Sequence, residues 1–292
     1  MAKKKSMTYL ELIAGYRDKG YKLRSYGLVR EKRIKYRWRR NLKEYRLFKI
    51  VINPRYRKTL IITSGFHGEE FNGPISLLEI FDEIVRYARK KRVRLIVYPC
   101  VNPSGFDLHK RYNASSSSKQ YNNDFLRYKI RSGRWVGTLK PLKHGEIFFS
   151  IKIVDSRAKE VRLLKRDVLK YRVPQGILDI HQQKGNLDTG DFYAYIFDKK
   201  RTYQKIMKKL KRIAKVAKND PAMNFEDGRK VYYKIDSSGF IKLHDGTLTD
   251  MFYRLGSEFV ITAETSTKLP LGKVCQINLI WAKELIKLIS KK

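Results

Sequence analysis

The stretch "LIITSGFHGEEFNG", residues 60–73, is an apolar run that breaks at Gly65 and is followed at once by His67 and Glu70. Two further apolar runs end in the same manner: "GILDIH" delivers His181 and "EFVITAE" delivers Glu264. A His and a Glu three residues apart turn to one side if the chain takes a helical turn, and a remote His completes a His2Glu set. Catalytic zinc sites use that set and keep a fourth position for water. Taken alone the His-x-x-Glu spacing is weak, because a surface His beside a solvated acid reads the same way. The chain has only five histidines, so two of them at strand ends add information. In an open α/β sheet ligands bind beyond the carboxyl ends of the strands, which is where these side chains fall.

The elements that must position them follow from apolar periodicity. Residues 8–18 read as a short amphipathic helix, and Ile34 to Ile52 as a half-buried hairpin turning at "RRN". Residues 59–65 and 93–99 are continuous apolar runs suited to buried strands, joined by a helix from Gly73 to about Lys91. Strand, helix, strand at these lengths predicts a βαβ unit with a parallel pair. Tyr112 to Gly145, rich in Ser, Asn and Gly, reads as one long loop. Beyond it come a helix at 158–170, strands at 176–181 and 192–197, a helix at 200–218, a strand at 258–264 and a final helix near 273–290. No repeat or linker splits the chain. The expected fold is α/β: one domain over residues 1–292, with residues 1–45 forming N-terminal helix and hairpin elements, and a central mixed, largely parallel β-sheet flanked by helices.

Hydrophobic residues make up 42% of the 292, a globular composition. The charge is unusual: 65 Lys+Arg against 28 Asp+Glu gives +37. Such a field suits a nucleic-acid or acidic partner, an anionic substrate drawn by steering, or a general basic bias with no specific partner, and the spread of cations along the whole chain favours the last. The helix read at 199–218 puts ten basic residues around a narrow apolar stripe. No helix-turn-helix, zinc-finger or RNP pattern accompanies it, so nucleic acid is the weaker partner, kept open by the charge alone. Cys100 and Cys275 stand apart, as reduced core thiols do. No segment resembles a signal peptide or a membrane span, and the expected location is the cytoplasm. Nothing in the sequence fixes an oligomeric state.

"SGFHGEE", followed by "VNPSGF" at 101–106, "RYN" at 111–113, "LDIH" at 178–181 and "TAET" at 262–265, resembles the M14 metallocarboxypeptidase superfamily, including its succinylglutamate desuccinylase and aspartoacylase branch. The motifs occur in the family's order over about residues 45–290. The resemblance implies a zinc carboxypeptidase-like domain holding one zinc ion on His67, Glu70 and His181. It makes Glu264 the general base and Arg111 the arginine that polarises the scissile carbonyl. Tyr253, eleven residues before Glu264, falls at the spacing of a mobile substrate-binding tyrosine; a packed aromatic is the alternative. Asp179 reads as turned to the opposite strand face from His181 and structural, and Glu69 as pointing away from the metal. His109 is a candidate for lining the cleft, while His144 and His244 read as surface loop residues.

One segment departs from the family pattern. The family grips a substrate's terminal carboxylate with Asn-Arg, and this chain has "QYNNDF" there, so Asn122 matches and Asn123 stands where Arg is expected. Arg127 or Arg254 is left to supply the charge. The expected activity is therefore zinc-dependent hydrolysis of an amide or peptide bond, in a peptide or an N-acyl amino acid of anionic character. The alternative is a catalytically weak or inactive basic binding protein on the same fold.

Overall fold

Thr59–Ser64 is buried at every position, and the run is apolar on both sides because both sides are covered. In the computed structural model it lies near the middle of an eight-stranded sheet. The structure describes residues 7–31, 43–111, 113, 127–129, 135–136, 152–154, 158–183, 190–218, 223–224, 230–231, 234–242 and 247–292.

In chain order the first elements are α1 (Tyr9–Asp18), β1 (Leu23–Arg30), β2 (Glu44–Ile52), β3 (Thr59–Ser64), α2 (Asn72–Glu79), α3 (Phe81–Lys90), β4 (Arg94–Tyr98) and α4 (Pro103–Leu108). Then come β5 (Arg127–Lys129), β6 (Trp135–Val136), β7 (Lys152–Val154), α5 (Lys159–Val168), β8 (Gly176–Gln183), β9 (Phe192–Ile196) and α6 (Lys200–Leu210). The last are β10 (Met223–Asn224), β11 (Lys230–Val231), β12 (Phe240–Lys242), α7 (Leu248–Arg254), β13 (Phe259–Ser266) and α8 (Leu271–Ser290).

The sheet order is β1-β2-β4-β3-β8-β13-β9-β12. The four strands β4, β3, β8 and β13 run parallel, and antiparallel pairings with β2 and β9 flank them. This is the mixed sheet that the apolar runs predict. Its two faces separate by parity, since successive side chains on a strand point to opposite sides. Leu60, Ile62, Leu178, Ile180, Ile261 and Ala263 share one core with Val274, Ile277, Trp281 and Leu285 of α8. Ile61, Ile96, Ile177 and Val260 share the other with Val161 and Leu164 of α5 and with Leu248 and Met251 of α7. Each large buried side chain contributes about 1.5 to 3 kcal/mol.

Four expectations about elements need correction. The hairpin is formed by Leu23–Arg30 pairing with Glu44–Ile52, so its first strand lies earlier than residue 34; residues 32–42, with "RRN", lie outside the described set. The helix read from Gly73 to Lys91 is two helices that turn at Ile80, each burying its own apolar side. The segment read as one long loop contains β5 and β6, which pair with each other and, through β5, with β7. The helix read to residue 218 ends at Leu210, because the chain is then drawn to the edge of β9: Asp191 N donates to Lys215 O and Ala217 N to Phe192 O. Both cysteines are free, Cys100 buried and Cys275 half-buried, and burial pushes both thiols up, Cys275 to about 11. Among the described residues no helix is long and apolar enough to cross a membrane.

Candidate metal centre

His67 and Glu70 sit in the loop that leaves the carboxyl end of β3, and the turn between them is closed by Glu70 N donating to His67 O. His181 comes from β8. The three are buried, and their ligand atoms all lie within 4.8 Å of one another. His67 Nδ1 is 2.6 Å from Glu70 Oε1, and His181 Nδ1 is 3.1 Å from Glu70 Oε2. Tetrahedral zinc with bonds of about 2.0 to 2.2 Å spaces its ligand atoms roughly 3.3 Å apart. Two imidazoles and one carboxylate at these separations fit such an ion in number, chemistry and size.

Strand pairing accounts for the rest of the site. Glu264 is the register partner of His181 on the adjacent parallel strand, so the two side chains stand on one face about 4.8 Å apart along the sheet. Glu264 is 7% exposed. One step towards the amino ends, Thr63, Asp179 and Thr262 form a matching polar row across β3, β8 and β13. Thr63 Oγ1 donates to Asp179 Oδ1 at 2.7 Å, and the hydroxyls of Thr262, Thr249 and Thr247 form a chain that ties α7 to this row.

Asp179 corrects the sequence reading. Residues two apart on a strand share a face, so Asp179 lies on the side of His181 and not opposite. Its Oδ2 is 3.1 Å from His181 Nε2. An aspartate accepts there from Nε2–H, which fixes the tautomer and leaves Nδ1 as the electron-pair donor. Burial opposes the charging of His181, but Asp179 and Glu70 together raise its pKa well above the ordinary value. Burial likewise opposes ionisation of Glu70, and the two imidazoles outweigh it, holding the carboxyl well below the usual range. Phe66 stacks on the His181 ring, with centroids 5.8 Å apart and planes 9° apart.

Two residues that the sequence reading passed over complete the frame. Asn102 of "VNPSGF" caps α4, its Oδ1 accepting from Gly105 N, while its Nδ2 donates to Phe66 O at 3.1 Å and Arg111 O at 3.3 Å. The signal was present, since an Asn before a Pro at the first helical position is a cap. Gln182 N donates to Glu70 Oε2 at 3.0 Å, which orients the carboxylate from the strand beside it. Backbone amides of Val101 and Asn102 donate to Ser64 O and Gly65 O, closing the loop of His67 and Glu70 onto the loop after β4.

Gly68 makes this approach feasible. A Cβ there would meet the Gly105 carbonyl carbon at 1.9 Å, a clash with backbone that cannot rotate away. Gly68→Ala is expected to cost about 1 to 3 kcal/mol and to displace His67 and Glu70. Urea unfolding and zinc titration check both effects, and an unchanged variant would show that the loops are not packed this closely.

The other candidates fare differently. Arg111 Nη1 is 3.6 Å from Glu70 Oε1 and 3.5 Å from Glu69 Oε1, so it borders the centre, and Glu69 pairs with it outside the three-residue cluster. Arg254 is corrected as a carboxylate-gripping candidate. Its Nε and Nη2 bond both oxygens of Asp250, and its side chain is 3% exposed. Tyr253 lies on α7 and stacks on Phe197 with centroids 5.1 Å apart. His109 stands edge-on to Phe71. Asn122, Asn123, His144 and His244 lie outside the described residues, and Arg127 is described only as the first residue of β5.

Residues 56–133 match the family model of the succinylglutamate desuccinylase/aspartoacylase catalytic domain. A search of curated proteins found no match. Among solved structures, a Shewanella amazonensis protein provisionally described as a metallopeptidase superposes with a TM-score of 0.63 at 20% identity, over 97% of this chain and 92% of that one. Bovine thrombin-activatable fibrinolysis inhibitor, solved with tick carboxypeptidase inhibitor, gives 0.58 at 16%, over 98% of each chain. Carboxypeptidase A from Helicoverpa armigera gives 0.57 at 13%, over 98% of this chain and 74% of that one. At these identities the structural likeness establishes the shared fold. The segment that matches this family model carries His67, Glu70 and Arg111, and the chain as a whole shares the fold of these carboxypeptidase-like structures.

Proposed function

We propose that this chain, as one catalytic domain, is a zinc-dependent hydrolase that cleaves an amide bond in a peptide or an N-acyl amino acid. The observation that carries the reading is the convergence of His67, Glu70 and His181 within 4.8 Å, with Glu264 in register beside His181. One zinc ion would be held by His67, Glu70 and His181, and when bound it supplies a Lewis acid that brings the pKa of water towards about 7. Glu264 takes a proton from the attacking water and passes it to the departing nitrogen as the acyl C–N bond breaks. Arg111 donates to the carbonyl oxygen as negative charge builds there, a contribution of about 3 to 4 kcal/mol for a well-placed donor. Asp179 keeps His181 in the right tautomer, and Gln182 N orients Glu70, which the His67 and His181 imidazoles hold ionised.

Asp179→Ala is expected to weaken zinc binding by about 10- to 100-fold, read by chelator competition, with Asp179→Asn falling between it and the parent. An unchanged affinity would reduce Asp179 to a packing residue. The proposal as a whole is tested by metal content and a substrate panel. The full chain should take up one zinc per molecule and hydrolyse either peptides at a free C-terminus or N-acyl amino acids. Both properties should be lost in His67→Ala and in His181→Ala. Protein that takes up no zinc, or binds polyanions unchanged in both variants while hydrolysing nothing, supports the basic binding protein instead.

A further inference from the structure

The amino ends of the central strands, opposite to the end that bears the metal candidates, hold a second concavity. Arg57, Arg94, Lys170, Tyr171, Arg172 and Gln175 line a pocket of about 500 Å³. Arg57 precedes β3, Arg94 opens β4 and residues 170–175 join α5 to β8, so three separate segments bring four cations to one place. Among the described residues no carboxylate lines it. The acid that Lys170 reaches at 3.3 Å, Asp167, is already bonded to Lys49 and Tyr98 beneath. Favourable placement at the carboxyl end of α5 accounts for Lys170 alone, because Arg57 and Arg94 belong to strand starts.

Arg94, Tyr171 and Gln175 are held in the wall, while Arg57, Lys170 and Arg172 are exposed. Arg94 Nε donates to Thr59 Oγ1 at 2.9 Å and its guanidinium lies 5.7 Å from the Tyr171 ring centre. The Tyr171 hydroxyl accepts from Lys49 Nζ, and Gln175 Oε1 accepts from Thr59 N at 2.6 Å. Four like charges lining one concavity repel one another, and a multiply charged anion relieves that repulsion. Three of the four are arginines, whose planar forks match phosphate oxygens two at a time. The volume lies in the range of small-molecule sites.

We propose that this pocket binds a small ligand carrying two or more phosphate groups. The site is independent of the hydrolytic reading, because β3 separates it from His67 by a distance on the order of 15 to 20 Å.

Calorimetric titration of the full chain with tripolyphosphate, pyrophosphate and orthophosphate tests the proposal. Affinity should rise with the number of phosphates. It should fall by about 100-fold in Arg57→Ala/Arg172→Ala, a pair of exposed arginines each worth about a factor of ten. Lys205→Ala/Lys208→Ala on α6 removes the same charge elsewhere and should leave binding intact. ATP in place of tripolyphosphate distinguishes a nucleotide, which binds more tightly, from free oligophosphate, which binds equally; either result supports the site. Equal losses in the two double variants would assign the binding to the diffuse field of the +37 chain and overturn the proposal. So would tripolyphosphate failing to bind while an oligonucleotide binds and is lost with Arg57 and Arg172.

Discussion

Glu264→Gln is expected to lower turnover on the preferred substrate by about 10²- to 10⁴-fold while zinc content stays at the parental level. The glutamine keeps the volume and the polarity of the buried side chain but cannot carry a proton from water to the leaving nitrogen. Register makes the separation of effects clean. Glu264 and His181 are opposed on neighbouring parallel strands, so the substitution leaves the strand, its partner and the three-residue cluster in place. The measurement is kcat on the best substrate of the panel alongside metal content of the same preparation. A variant with parental kcat removes Glu264 from the proton path, and one that has lost its zinc shows the residue to be part of the metal frame instead.

The second large effect is on stability. Lys49 on β2 is 7% exposed and Asp167 on α5 is 2% exposed, and they form an ion pair that Tyr98 and Tyr171 complete with hydrogen bonds. Removing one member of a buried pair leaves the other charge without compensation in a poorly solvated place. Asp167→Ala should therefore destabilise the fold by about 3 to 5 kcal/mol in urea unfolding. Lys49→Met alone should also destabilise, while the double variant Lys49→Met/Asp167→Leu should recover most of the loss, because a hydrophobic replacement of the whole pair is often neutral. A loss below about 1 kcal/mol in Asp167→Ala would place the pair in the surface class, where water screens it.

The site was legible where strand ends coincide with rare residue types. His67, Glu70, His181 and Glu264 were readable because buried strands are apolar runs and a polar residue at their carboxyl ends is conspicuous. The parallel pairing of β3 with β4 followed from the lengths between them. What was not legible depended on pairings across the fold. The side of Asp179 follows from strand parity, which puts it with His181, whereas Thr63 and Thr262 alongside it come from the register of three strands, which no single segment contains. The early end of α6 is likewise a tertiary effect, since its helical pattern continues to Ala217 and the bonds to Asp191 and Phe192 override it. Arg254 looked available by position, and only its bidentate contact to Asp250, four residues back, reveals the commitment.

Asn102 closes a clasp that has a consequence for how such proteins diversify. One side chain holds the carbonyls of Phe66 and Arg111 together, and the clasp is complete at Arg111. Substitutions beyond Arg111 are then expected to leave His67 and Glu70 in place for as long as Asn102 is kept. A variant with an altered sequence at positions 114–126 should keep the parental zinc affinity in chelator competition, and Asn102→Ala should abolish that independence.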